Sequence, residues 1–154
     1  MPESYPKHRM VNIGGKIEEE REAVATGKIR LRSSTLELLR QGKIEKGDPL
    51  ATAEIAAMLA AKKTSELIPL CHPLLITEVK TTGKIVDNGV TVEAKVSATG
   101  KTGVEMEALT AVTVYLLTIW DMTKQYEKDE KGQYPFTSIE EIRVTRKVKR
   151  NERK

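Results

Sequence analysis

Taken in order, the predicted elements run strand, helix, strand, strand, helix, strand, with one short helix inserted early. That is the split βαβ order of a ferredoxin-like α+β domain, an antiparallel sheet with its helices packed on one face. Three features predict it. Two stretches are strongly helical (46–64 and 102–128), two alternating stretches flank a turn at Asp87-Asn88-Gly89, and one further strand stands at each end of the series. With 154 residues, 39% of them apolar, the chain is expected to form a single domain over 1–154 with a substantial core, and flexible tails at 1–9 and 149–154. One Trp and one Phe require that core to be aliphatic.

The first strand is expected after a turn at Gly27, where Ile29 and Leu31 alternate with Lys28, Arg30 and Arg32. "SSTLELLRQGK" follows as a short helix, capped by Ser33 or Ser34, facing inward with Leu36, Leu38 and Leu39, and stopped by Gly42. The helix of 46–64 takes Asp48 as its N-cap and Pro49 as its first residue, where the missing N–H costs little. Leu50, Ile55, Met58 and Leu59 form its expected apolar face, with alanines allowing close packing. "LITEVKTTGKIV" and "VTVEAKVSATGK" pair as a hairpin, 102–128 forms a helix apolar nearly all round, and "SIEEIRVTRKV" is the last strand.

Between the first long helix and the hairpin lies "LIPLCHPLL" (67–75), with the only cysteine, Cys71, and one of two histidines, His72. Pro69 and Pro73 make it stiff and extended rather than helical. Cys71 and His72 could be a nucleophile and base, metal ligands, a general acid, or packing. A metal centre is not expected, because zinc needs three or four ligands and His8 is far from His72. A thiol nucleophile needs a base, and His8 in the amino-terminal tail is a poor one. "TGKTG" is not a phosphate loop, since Lys95 stands where its first glycine belongs.

The longest apolar stretch, 108–120, has 13 residues bracketed by acids, short of the roughly 20 a bilayer span needs, so no membrane association is expected. No leader is expected behind the polar start, and a lone cysteine fits a reducing cytoplasm. The net charge of +4 is concentrated in "RVTRKVKRNERK", which serves either solubility or an anionic partner.

Ionisable groups gather at the ends of the second long helix: Glu105 and Glu107 at its start, Asp121 and Lys124 at its end. The helix dipole alone could account for the two glutamates and for Lys124. Glu107 and Asp121 lie fourteen positions apart on one face, about 21 Å along the axis at 1.5 Å per residue. They cannot line one small pocket within a subunit. If both are catalytic, the site lies between subunits.

"KGDPLATAEIAAMLAAKKTSELIPLCHPL" and "GKTGVEMEALTAVTVYLLTIWDMTK" closely resemble the molybdenum cofactor biosynthesis protein C family, the cyclic pyranopterin monophosphate synthases. Together they cover about a third of the chain, with weaker similarity from "MVNIGGK" to "IRVTRK". The resemblance implies a ferredoxin-like subunit, a homohexamer built as a trimer of dimers, and an active site at the dimer interface. It implies a GTP-derived cyclic nucleotide as substrate, 3′,8-cyclo-7,8-dihydroguanosine 5′-triphosphate, converted to cyclic pyranopterin monophosphate with loss of pyrophosphate, and no cofactor. By position, Lys46, Lys124 and Asp121 match the catalytic residues. His72, Glu105, Glu107, Arg21 and Lys147 match substrate-binding ones. Arg21 and Lys147 are expected to hold phosphates, and Glu105, Glu107 and His72 the guanine-derived ring edge. The lysines are expected to exchange protons through pKa values lowered by desolvation and neighbouring cations. Cys71 is then packing.

The chain departs from the family pattern twice. Asn12 stands where relatives carry an acid, and "KVKRNERK" replaces a glycine-rich closing segment, so that Lys149 could stand in for Lys147. A nucleic-acid-binding module is the competing class. RNA readers of this architecture stack bases on sheet aromatics, which these strands lack, and nucleic acid is not expected as a partner. An inactive structural paralogue is disfavoured by the presence of every key residue.

Overall fold

The computed structural model describes residues 7–150. Its elements are β1 (Glu19–Arg30), α1 (Ser33–Gln41), α2 (Pro49–Lys62), α3 (Thr64–Leu67), β2 (Leu75–Val86), β3 (Gly89–Gly100), α4 (Glu105–Glu127) and β4 (Ser138–Arg150). The four strands form one antiparallel sheet in the order β2-β3-β1-β4. This is the ferredoxin-like α+β arrangement that the element order predicts. Ala23, Ala25 and Ile29 of β1 and Val90 to Ala98, every second residue, of β3 meet Ala108, Val112, Leu116 and Ile119 of α4 in the core. Tyr115 is the aromatic ring this core encloses, so the interior is aliphatic as composition requires.

Gly27 makes no turn. It sits inside β1, paired with Val92 of β3, because α4 crosses the sheet above it. A Cβ at Gly27 would stand 2.7 Å from Val112 Cγ1 and 2.9 Å from Leu116 Cδ1. The glycine serves a close helix–sheet approach, the other common reason for glycine in a strand.

The apolar face of α2 also differs from expectation. Ala53, Ala57, Ala60 and Ala61 are buried, while Ile55 is 57% and Leu59 51% exposed. Helix spacing depends on the side chains at the contact, and the alanine face lets α2 lie close to α4. Leucine-sized groups turned inward would hold the two helices apart. Asp48 caps α2 as predicted, its Oδ1 accepting from Leu50 N at 3.1 Å and Ala51 N at 3.2 Å.

At α1, neither Ser33 nor Ser34 provides the cap. The first residue outside the helix is Arg32, and its backbone N–H donates to the carboxylate of Glu127 at the far end of α4. Gly42 ends α1 with φ 66°, the left-handed conformation expected there.

Leu67 closes the single turn of α3, and the proline-bound segment is non-helical from Ile68 onward. Cys71 N donates to Ile68 O at 3.1 Å, closing a turn over Pro69 and Leu70. Of the expected tails, 1–6 and 151–154 lie outside the described residues. Residues 7–9 are exposed and irregular. Lys149 and Arg150 belong to β4, opposite Arg21 and Glu20 of β1.

Gly27→Ala should destabilise the fold by about 1–3 kcal/mol through overpacking against Val112 and Leu116. Gly15→Ala, with open space around its Cβ, should change stability by less than about 0.5 kcal/mol. Urea unfolding of the two variants measures the contrast.

Candidate active site

The expected residues fall into two groups, one at each end of α4. At its C-terminal end, the Lys46 loop between α1 and α2 meets the last turns of the helix. Lys124 Nζ is 2.9 Å from Asp121 Oδ1, and Lys46 Nζ is 3.4 Å from Oδ2 and 3.1 Å from the Asp121 carbonyl oxygen. One carboxylate thus holds two ammonium groups, one on each oxygen. A cleft of about 400 Å³ beside it has Leu117, Trp120, Tyr134 and Ile139 as an apolar wall, with Asp121 and Lys124 at its rim.

The electrostatics of this group run against expectation in one respect. Hydrogen bonds from Lys124 and then Lys46 hold the exposed Asp121 carboxyl below its usual range. The hydrogen bond and charge of Asp121 in turn raise the pKa of Lys124. Lys124 lies at the surface, so desolvation is too weak to lower it. In a single subunit the contact with Asp121 favours the protonated ammonium form of Lys124.

At the N-terminal end, Arg21 of β1, Glu105 and Glu107 of α4, Lys147 of β4 and the 71–72 segment converge. Lys147 Nζ lies 2.5 Å from Glu105 Oε1. Arg21 is 8% exposed and donates from Nε to Gly100 O at 3.4 Å. A cleft of about 330 Å³ opens between Cys71, His72, Thr102, Gly103, Glu105 and Met106.

The two glutamates are driven apart in acidity. Burial alone would raise Glu105, but the Lys147 hydrogen bond, a bond to its own backbone, and the charges of Lys147 and Arg21 outweigh it and lower its pKa. Burial raises Glu107, with the charge of Glu105 adding to it, against weaker help from a backbone N–H and the Cys71 thiol. Glu107 is 2% exposed, and its Oε1 has no hydrogen-bond partner among the described residues. Two carboxyls whose surroundings separate their pKa values suit unequal roles, one ionised and one proton-carrying.

The ring of His72 is fixed. Its Nε2 lies 2.6 Å from Val11 O, and a carbonyl accepts, so Nε2 carries the proton. Nδ1 remains for a ligand. The Cys71 thiol reaches His72 O at 3.7 Å and Glu107 Oε2 at 3.8 Å. Burial pushes its pKa up, and the charge and hydrogen bond of Glu107 push it further, the opposite of an activated nucleophile. Beside Val11, Asn12 Oδ1 accepts from Gly14 N at 2.8 Å, a turn that an aspartate would form equally well.

Sequence reasoning missed the residues that hold these groups in place. Glu127 is fully buried and accepts from the Arg32 backbone N–H, Thr35 Oγ1, and Thr137 Oγ1 at 2.6 Å. It ties α4 to the start of α1 and to the strand entry at β4. An acid in the last turn of a helix opposes the dipole, and that was its available signal. Glu45, Gln125 and Tyr126, which link the Lys46 loop to α4, gave none.

A ferredoxin-like subunit with two lysines on one carboxylate and, a helix length away, a carboxylate pair beside basic groups defines a class: a small α+β protein with clusters of ionisable groups at both ends of its longest helix. A model of the MoaC family matches residues 10–149, and the chain belongs to that family. It is 58% identical over 141 residues to a Pyrococcus abyssi protein named "Probable cyclic pyranopterin monophosphate synthase", covering 92% of this chain and 89% of that one. A protein of the same name from Archaeoglobus fulgidus is 56% identical over 143 residues, 93% of this chain and 92% of its own. One from Methanothermobacter thermautotrophicus, named "Probable cyclic pyranopterin monophosphate synthase accessory protein", is 55% identical over 141 residues, 92% and 89% of the two chains.

Carboxyl-detected NMR titration should find Glu105 below and Glu107 above the ordinary glutamate value. Lys147→Ala should move Glu105 upward, because burial remains when the counter-charge is lost. Glu107 binds its proton more tightly folded than unfolded, so its ionisation lowers stability as pH rises from the unfolded value, about 4.3, through the raised folded one. Glu107→Gln should therefore raise Tm at neutral pH and leave it nearly unchanged at pH about 4, which thermal melts at the two pH values would test.

Proposed function

We propose that this chain is a cyclic pyranopterin monophosphate synthase of molybdenum cofactor biosynthesis. It converts 3′,8-cyclo-7,8-dihydroguanosine 5′-triphosphate to cyclic pyranopterin monophosphate and releases pyrophosphate. The family match over 10–149 carries this reading, together with the gathering of the matched residues into just two clusters. In this proposal each active site joins the Glu105–Glu107 end of one α4 to the Asp121–Lys124 end of another, in a homohexamer of three such pairs.

The length of α4 supports the shared site. Its 23 residues are unbroken, leaving Glu107 and Asp121 about 21 Å apart on one axis. The outer face of the helix supports it too. From Ala108 to Trp120 there is no charged residue, yet Leu117 is 52% exposed and Thr110, Thr113 and Val114 are only half-covered. Two α4 helices laid antiparallel about a two-fold axis near residue 114 would cover that face. They would bring each Glu107 to the partner subunit's Asp121 and Lys124 end.

The reaction needs positive charge against a triphosphate and several proton transfers. Arg21 and Lys147 bind phosphate oxygens, Lys147 leaving Glu105 as the anionic substrate arrives. Lys124, held protonated by Asp121, serves first as an acid. After giving up a proton it can take one back, while Lys46 on the other carboxylate oxygen supplies charge and a second exchange. Glu105 accepts N–H groups of the guanine-derived ring, Nδ1 of His72 adds another contact, and Glu107 can donate as well as accept.

Lys124→Ala should leave the circular dichroism spectrum and oligomer unchanged and lower turnover by about 10²–10⁴-fold. Pyrophosphate release and the fluorescence of the oxidised pterin measure it, and near-normal turnover would remove Lys124 from the chemistry. Mixing inactive Lys124→Ala and Glu107→Ala subunits tests the shared site. A mixed pair holds one intact site of two, so random exchange should restore roughly a quarter of wild-type activity. No recovery despite proven exchange would refute it.

A further inference from the structure

Lys46 stands on a loop rather than on a helix or strand, so something outside its own backbone must set where its ammonium group lies. Ile44, 6% exposed, anchors the loop from below, and Gly47 N donates to Ile44 O at 3.1 Å, making a tight turn over Glu45 and Lys46. Gly47 holds φ 119°, a conformation side chains rarely adopt. The grip from above comes from the last turn of α4. Glu45 N donates to Tyr126 Oη at 2.9 Å, and Gln125 Nε2 donates to Glu45 Oε2 at 3.0 Å. The residue so clamped directly precedes Lys46, whose Nζ reaches back to Asp121 on the same helix, five positions before Tyr126.

We infer that Tyr126, assisted by Gln125, is a positioning residue for Lys46, holding the loop so that the ammonium group stays on the Asp121 carboxylate opposite Lys124. This deepens the proposed function and rests on the role given there to Lys46. The physical need is clear. A lysine has a long flexible stem, and Nζ of Lys46 is not buried by surrounding groups. With its backbone fixed at Glu45, only the side chain must be ordered when substrate arrives. With the backbone loose, a misplacement of about 1 Å suffices to cost on the order of 10²-fold in rate.

Tyr126→Phe removes the hydroxyl and keeps the half-buried ring. Tm should move little, since the bond lies at the surface. The rate at which an amine-selective reagent modifies Lys46 should rise severalfold against Lys62 as internal reference, read by peptide mass spectrometry. Turnover should fall about tenfold in kcat with KM nearly unchanged, the worth of one hydrogen bond felt at the reacting groups. In a Lys46→Ala background Tyr126→Phe should add no further loss. An unchanged labelling rate at Lys46 overturns the inference whatever the activity does. A full additional loss in the Lys46→Ala background overturns it too, because Tyr126 would then act through something else. If Lys46→Ala alone proves fully active, the catalytic role of Lys46 falls, and the labelling result still decides whether Tyr126 holds the loop.

Discussion

The close crossing of α4 over the sheet is the contact on which the rest of the molecule depends. Gly27 makes it possible by leaving room for Val112 and Leu116 within van der Waals reach of the strand. Everything chemical hangs from the two ends of that helix. Its first turn carries Glu105 and Glu107 toward Arg21, Lys147 and the 71–72 segment, and its last turns carry Asp121, Lys124, Gln125 and Tyr126 toward the Lys46 loop. The helix is both core spine and spacer. Its burial on the sheet side fixes the rotation that aims both clusters. Glu127, satisfied by Arg32, Thr35 and Thr137, locks the far end against fraying.

Three carboxylates at these ends behave in three ways, and their surroundings explain the differences. Asp121 is exposed and cation-flanked, so it stays ionised and raises the lysine it holds. Glu105 is partly buried but faces Lys147, and the cation outweighs desolvation. Glu107, two residues along the same helix, is buried without a cation and is biased toward its neutral form. Residue type sets the chemistry available, and position on the helix selects which form is populated.

The strand–helix order, the Asp87-Asn88-Gly89 hairpin and the Asp48–Pro49 helix start were legible because each rests on local chemistry: periodicity, turn conformation, a capping side chain. The separation of the two clusters was legible as well, being simple helix arithmetic. What failed needed tertiary knowledge. Glycine marks turns and close approaches alike, and only the position of α4 tells which applies at Gly27. The alanines of α2 were expected to allow close packing beside a face of larger side chains, but they form the buried face themselves, with Leu50 packed against the core while Ile55 and Leu59 stay exposed. In the single subunit Asp121 raises the pKa of Lys124, which is too exposed for desolvation to lower it, and that exposure cannot be read from neighbours in sequence. A loose tail was expected from Lys149 onward, yet Lys149 and Arg150 continue the edge strand β4 and pair with β1.

The stiffness of "LIPLCHPLL" acquires a specific use in this setting. His72 lies beyond the last turn of α3 and before β2, where no sheet or helix hydrogen bonds can aim it. Pro69 and Pro73 lack donors and restrict their neighbours, so the path is set by covalent geometry and the single Cys71-to-Ile68 turn. Val11 then fixes the ring itself by occupying Nε2. A loop that needs no partner strand to hold its shape can sit at the rim of a cleft and still present one nitrogen in one direction. Cys71 fits the same logic. A small, weakly donating thiol lies between the His72 carbonyl oxygen and Glu107 Oε2 while leaving Glu107 Oε1 unclaimed, whereas a serine there would bring a stronger donor to the carboxylate and hold it ionised.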